Sequence, residues 1–124
     1  MTLRLTMPWP ISVNSLYRSY DGRQIISVPG RKYYAACKQH LAAIKQLPDF
    51  GESRLKVVIR LYAPSVRVYD LDNHAKTLLD AITHCQRVWK DDRQIDDLRI
   101  IRMEKGGKNA RAELTITVIP DKEA

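Results

Sequence analysis

Apolar and polar residues alternate along several stretches of this chain. Residues 3–7, 55–62 and 112–119 alternate in this way. A period of two places alternate side chains on one face of a sheet, so these stretches predict half-buried β-strands. A further strand is expected at 98–103, and the glycine-containing segment 105–109 predicts a hairpin turn between the last two strands.

Two other stretches have the period of an α-helix. One begins after Ser27 and should end near Leu47, because Pro48 disfavours the helical conformation in the residue before it. The second carries apolar side chains at spacings of 4, 3, 1 and 3 from Leu71 to Ile82, which fits a helix that packs on a sheet.

The order of these elements is β-α-β-α-β-β. It predicts an α/β chain of the α+β type, in which a single mixed sheet of about four strands carries both helices on one face. Because 124 residues is a common domain size, we expect one domain that spans 1–124. Residues 12–23 and 86–94 have neither period, so we expect loops there.

The charge of the chain limits the kinds of partner that we expect it to bind. Lysines and arginines outnumber acids 21 to 14, which suits a phosphate backbone, although many basic proteins bind nothing specific.

No apolar run approaches the roughly 18 residues of a membrane span, and the first residues lack the apolar block of a signal peptide. Cys37 and Cys85 fall in predicted helices and indicate reduced core thiols. We therefore expect a cytoplasmic protein without membrane contact.

The segment 12–23 mixes basic and aromatic residues. Such a mixture suits contact with phosphates and stacked bases, and an ordered surface loop without a ligand explains it equally well. The side chains that we expect to contact DNA are Asn14, Tyr17, Arg18, Arg23, Arg31, Lys32 and Arg67.

Acidic residues are concentrated in one part of this basic chain. Seven of the 14 lie within residues 70–97. Asp70 and Asp72 can project to the same side of an extended lead-in to a helix, and Asp91-Asp92 follows in a loop. Since Mg²⁺ takes carboxylates, waters and phosphate oxygens as ligands, the pattern predicts a metal site for phosphodiester hydrolysis. Lys76, one helical turn beyond Asp72, can stabilise charge that grows on the phosphate.

Each part of this pattern also has a purely structural explanation. One aspartate before a helix is usually an N-cap. An Asp72–Lys76 pair is usually a surface ion pair worth roughly a few tenths of a kcal/mol, and Asp91-Asp92 is typical of a solvated turn. Capping accounts for Asp70 or for Asp72 but not for both, so the combination favours the metal site.

Motifs from nearly the whole chain together resemble one known family. The motifs are Pro8-Trp9-Pro10, Ser12, Asn14, Tyr17-Arg18, Asp70-Leu71-Asp72-Asn73, Lys76, Asp80-Ala81, Val88-Trp89, Asp91-Asp92 and the late strand 113–117. In this combination they resemble the RusA family of Holliday-junction resolvases.

The resemblance implies a small homodimeric endonuclease, often of prophage origin, that cuts four-way DNA junctions symmetrically with Mg²⁺, or with Mn²⁺ as a substitute. The implied metal ligands are Asp70, Asp72 and Asp92, with Asp91 as the alternative third ligand. Lys76 is the implied catalytic lysine. A two-fold dimer would supply the two sites that paired nicks require.

From the residues and the resemblance together we expect a Mg²⁺-dependent, structure-selective endodeoxyribonuclease that resolves Holliday junctions during recombination and repair. Its products would carry a 5′-phosphate and a 3′-hydroxyl. Two alternatives remain at this point, a non-catalytic junction- or DNA-binding protein and a structural RNA-binding protein of ribosomal type. The second would explain the charge but not the clustered acids.

Overall fold

A computed structural model of the chain describes residues 1–120. Its main feature is a four-stranded sheet with two long helices. The elements in chain order are β1 (Thr2–Pro8), α1 (Val13–Leu16), β2 (Tyr17–Tyr20), β3 (Arg23–Ile26), α2 (Val28–Ala42), β4 (Leu55–Tyr62), α3 (Leu71–Cys85), β5 (Ile95–Arg102) and β6 (Arg111–Val118), with short 3₁₀ turns at Asp92–Gln94 and Gly107–Asn109.

The sheet has the strand order β1-β6-β4-β5 and is mixed. β4 runs parallel to β5 and antiparallel to β6, and β1 is antiparallel to β6. One face is apolar, with Leu5, Ile59 and Leu114 buried in the same cluster as Leu41 of α2 and Ile82 of α3. The long helices therefore pack on this face, and the predicted fold class is confirmed.

The predicted hairpin between the last two strands is wrong, because β4 lies between them. β5 and β6 pair with opposite edges of β4. The connection passes over the end of β4, where Met103 donates its backbone N–H to Leu61 and Gly106 donates to Ala63. In the central position β4 buries Val57, Ile59 and Leu61 fully against the helices, and this tertiary packing outweighs the local turn signal.

Two other boundaries differ from expectation. Segment 12–23 is not a loop, because it contains α1 and most of the β2–β3 ribbon, whose turn residues Asp21 and Gly22 both have positive φ as Asp-Gly hairpin turns require. Helix α2 ends at Ala42 rather than near Leu47. The chain leaves the helix early and buries Phe50, which donates its backbone N–H to Val88.

Both cysteines are free thiols. Cys37 is fully buried, and burial raises its pKa to about 12, whereas Cys85 is half-buried. None of the helices within residues 1–120 is long and apolar enough to cross a membrane.

Candidate active site

Two of the predicted ligands lie at the start of α3. Asp70 occupies the N-cap position, but its carboxylate makes no capping hydrogen bond and instead accepts one from Asn73 Nδ2 at 3.3 Å. Asp72 is exposed in the first turn and forms no side-chain hydrogen bond or ion pair within residues 1–120. Helix capping therefore does not explain either carboxylate, and both face solvent at the positive end of the helix dipole.

An aromatic cluster fixes the chain just before these aspartates. Trp9, Tyr69 and His74 pack together with ring centroids 5.1 to 5.4 Å apart. Arg102 lies 4.2 Å from the centre of the Tyr69 ring and donates a 2.9 Å hydrogen bond to the Tyr69 carbonyl. His74 Nδ1 is 3.1 Å from the carbonyl oxygen of Asp70. These contacts orient the backbone of the residues that precede Asp72, and nothing in the local sequence pattern pointed to them.

Lys76 and Asp92 meet beside Asp80. The Lys76 ammonium is 3.0 Å from Asp80 Oδ1, one helical turn on, and 3.8 Å from Asp92 Oδ2 in the loop after the helix. The hydrogen bond to Asp80 raises the pKa of Lys76. Desolvation raises the pKa of Asp92, and the charge of Lys76 partly offsets that effect. Asp80 had no predicted role of its own, although its i,i+4 spacing from Lys76 was a usable signal.

The two aspartates of the 91–92 pair have different surroundings. Asp91 caps the 3₁₀ turn by accepting the backbone N–H of Arg93 at 2.9 Å, and this bond lowers its pKa. Its carboxylate also pairs with the Arg93 side chain at 3.4 Å. Asp92, and not Asp91, is the member of the pair that lies beside Lys76.

Gln94 holds this acidic loop in place from inside the protein. It is 5% exposed, and its Oε1 accepts the backbone N–H groups of Lys90 and Asp91 at 3.1 and 3.0 Å. Its Nε2 donates 2.8 Å hydrogen bonds to the carbonyls of Gly51 and Ser53. One side chain thus satisfies four backbone groups, a role that needs distant partners and that the local sequence does not reveal.

Trp89 joins the same loop to α3. Its side chain is almost fully buried, and its Nε1–H donates a 2.8 Å hydrogen bond to Thr83 Oγ1. Gln94 and Trp89 together fix where the chain emerges as Asp91 and Asp92.

The acidic side chains that the structure describes do not form an enclosed cluster. Within residues 1–120 no three His, Cys, Asp or Glu side chains already surround a common point. Mg²⁺ commonly binds one or two carboxylates and completes its shell with waters and substrate phosphates. The exposed carboxylates of Asp70 and Asp72 suit that mode. Lys76 lies one helical turn beyond Asp72, and Asp92 approaches its ammonium to 3.8 Å.

The predicted DNA contacts fall into two groups. Tyr17 lies with Lys76, Asp80 and Tyr34 along an open groove of about 560 Å³ beside α3. The others are exposed and lie on α1 (Asn14), on the β2–β3 ribbon (Arg18 and Arg23), at the start of α2 (Arg31 and Lys32) and in the loop before α3 (Arg67).

Comparison with known proteins gives the same family as the motifs. Residues 8–117 match the family described as Endodeoxyribonuclease RusA. The chain is 38% identical over 121 residues to the crossover junction endodeoxyribonuclease RusA of Escherichia coli K12, and 39% identical to that of Enterobacteria phage 82, with 94% of each chain covered in both cases. The corresponding protein of Enterobacteria phage HK97 is 36% identical, with 85% of this chain and 88% of that protein covered.

The chain therefore belongs to a family of endodeoxyribonucleases. It is a member of the RusA family, as its motifs predicted, and the expectation of an endodeoxyribonuclease is confirmed at the level of the family.

Gln94 provides a test of the loop's support. Gln94→Ala should lower the free energy of unfolding by on the order of 3 kcal/mol, because it leaves buried backbone groups without partners. Urea denaturation followed by tryptophan fluorescence measures the change. Arg93→Ala, which removes a neighbouring exposed side chain, is the control. Equal, small losses in the two variants would show that Gln94 does not support the loop.

Proposed function

We propose that this chain is a Mg²⁺-dependent, structure-selective endodeoxyribonuclease that resolves four-way DNA junctions by paired symmetric nicks. The observation that carries the proposal is the approach of Asp92 to Lys76, which joins the acidic loop to the helix that bears Asp70 and Asp72. Relatives named crossover junction endodeoxyribonuclease indicate the substrate class.

The three carboxylates have the chemistry that Mg²⁺ requires. Asp70, Asp72 and Asp92 would hold the ion, while the cluster of Trp9, Tyr69 and His74 keeps the first turn of α3 in position. A bound Mg²⁺ would activate a water and stabilise the leaving oxygen in phosphodiester hydrolysis. Exposure of Asp70 and Asp72 leaves room for the DNA phosphate to share the same site.

Lys76 supplies positive charge next to this site. Its ion pairs with Asp80 and Asp92 favour the protonated ammonium, so Lys76 supplies positive charge and does not act as a base. The phosphate gains negative charge in the transition state of hydrolysis, and a nearby ammonium stabilises that charge. Asp80 positions the ammonium, which is more than half exposed and can turn towards a phosphate.

Symmetric cleavage requires two sites. Each chain contributes one Asp70–Asp72–Lys76 set, so a two-fold homodimer matches the two-fold symmetry of the junction. Arg18, Arg23 and the other exposed basic residues named above would contact phosphates, and binding should weaken steeply with salt.

Cleavage of a synthetic four-way junction tests the proposed function. With Mg²⁺ the protein should nick two opposite strands of the junction symmetrically, and it should leave a linear duplex of the same sequence largely intact. EDTA should stop cleavage without abolishing binding. Equal cleavage of the linear duplex would indicate a general nuclease, and binding without any cleavage would favour the non-catalytic DNA-binding alternative.

Individual carboxylates can be tested in the same assay. Asp70→Asn, Asp72→Asn and Asp92→Asn should each abolish cleavage and leave junction binding unchanged or tighter, because less negative charge then faces the phosphates. Asp91→Asn is the matched control and should cleave at near the wild-type rate, since Asp91 caps the neighbouring turn. Loss of activity in Asp91→Asn but not in Asp92→Asn would move the third ligand to Asp91.

Lys76 should affect turnover more than binding. Lys76→Ala should lower the single-turnover cleavage rate by on the order of 10² to 10³, with little change in junction affinity, because its charge acts mainly in the transition state. Lys76→Arg should restore activity only in part, since its planar guanidinium places the charge differently. Lys45→Ala, an exposed lysine distant in sequence, is the control. Full turnover with weakened binding would make Lys76 a simple phosphate contact.

A further inference from the structure

The loop between β4 and α3 carries the most exposed large apolar side chains of residues 1–120 apart from Met1. Val66 is 85% exposed and Val68 is 96% exposed, and they stand on either side of Arg67. Single exposed apolar residues are common on protein surfaces. Two such side chains almost wholly outside the fold, on one short loop of a basic protein, are available to contact another molecule.

Hydrogen bonds hold both ends of this loop. The carbonyl of Ala63 accepts the backbone N–H groups of Gly106 and Gly107 at 2.8 and 3.3 Å. At the other end, the carbonyl of Tyr69 accepts a 2.9 Å hydrogen bond from Arg102, which also covers the Tyr69 ring. The loop is therefore anchored before any ligand binds, and ordering it on binding costs little conformational entropy.

Basic side chains surround the base of the loop. Arg67, Arg102 and Lys105 line a hollow of about 220 Å³ between the loop and the end of β5, and no described acidic side chain lines it. None of the three forms an ion pair within residues 1–120. Unpaired cations around a small hollow attract phosphate oxygens. A strand held there by its phosphates has its bases next to the loop tip, because Val66 lines the same hollow.

The loop leads directly into the proposed active site. Val68 is two residues before Asp70, so their Cα atoms are at most about 7 Å apart. Since successive nucleotides of one strand advance about 3.4 Å along the helix axis, a phosphate bound at Asp70 lies roughly two nucleotides from the loop tip. The exposed valines would thus meet bases close to the cleavage site.

Bases at this position differ between a four-way junction and a linear duplex. In a duplex they are stacked, and inserting an apolar side chain between two base pairs costs unstacking free energy. At the branch point of a junction the stacking of the arms is already interrupted. The free faces of the bases can there cover an apolar side chain and remove it from water without that cost.

We propose that Val66 and Val68 form an apolar wedge that packs against the unstacked bases at the branch point, and that this contact makes the protein prefer a junction to a duplex. The inference rests on the proposed function and names the residues that recognise branched DNA. Arg102 and Lys105 contribute differently, because they bind phosphates that both kinds of DNA possess. Charge thus supplies affinity, and the wedge supplies selectivity.

Threonine substitution tests the wedge without changing its shape. Val66→Thr/Val68→Thr keeps both side chains β-branched and replaces one methyl group with a hydroxyl at each position. In EDTA, affinity for the junction should fall by roughly 10- to 100-fold, because burial of two apolar side chains is lost, while affinity for a linear duplex stays within about two-fold. Val66→Ile/Val68→Ile is the matched control, and it should keep the preference for the junction. Fluorescence anisotropy of labelled DNA measures both affinities.

A fluorescent base at the branch point reports the contact directly. An adenine analogue whose emission depends on base stacking should change its fluorescence when the wild-type protein or the isoleucine variant binds, and the threonine variant should leave it near the free-junction value. Lys105→Ala gives a contrasting result. It should weaken binding to junction and duplex alike and lower the slope of the salt dependence by about one, without altering the fluorescence change in the bound complex.

The outcomes separate this inference from the proposed function. If the threonine variant kept both the junction preference and the fluorescence change, the wedge would be overturned and the proposed function would stand. A wild-type protein that binds junction and duplex equally would overturn both. Because every binding measurement is made in EDTA, a preference that the threonine variant loses would support the wedge even if cleavage with Mg²⁺ failed. Circular dichroism checks that each variant is folded.

Discussion

The position of Asp92 depends on one buried amide. Gln94 binds backbone groups of residues 51, 53, 90 and 91, so it ties the loop after α3 to the segment before β4. Burying an amide is favourable only when its hydrogen bonds are made, and here all of these contacts come from the main chain. The short distance from Asp92 to Lys76 is a result of this anchoring together with the Trp89–Thr83 hydrogen bond, because the two residues lie on separate elements.

The elements of the fold could be predicted wherever one face of a strand or helix determines the pattern. The stripe from Leu71 to Ile82 predicted α3, and alternation predicted β4, since the periods of both elements are local properties. The neighbours of β4 could not be predicted in this way. They depend on which distant segments pair with the two edges of the strand, and a turn signal at 105–109 carries no information about that pairing.

The candidate site likewise contains residues that local spacing predicted and residues that it did not. Asp70, Asp72 and Lys76 are close in sequence, so their position at the start of one helix could be predicted. The expected extended lead-in for both aspartates was wrong, because Asp72 lies in the first turn of α3 and only Asp70 precedes the helix. Helical spacing also predicts that Asp80 lies beside Lys76. Gln94, Trp9 and Arg102 could not be predicted in this way, because each acts through partners more than 30 residues away or through backbone atoms whose identity leaves no trace in the sequence. The Asp21-Gly22 dipeptide was a local signal for a hairpin turn, but the polar residues around it led to the prediction of a loop.

The unequal edges of the sheet have a consequence for assembly size. An open strand at both edges would allow molecules to add indefinitely, as in a fibril. Here Tyr33 and His40 cover outward carbonyls of β1, while β5 remains open. Association through β5 would be self-limiting, because joining two copies along this strand consumes its open side in both.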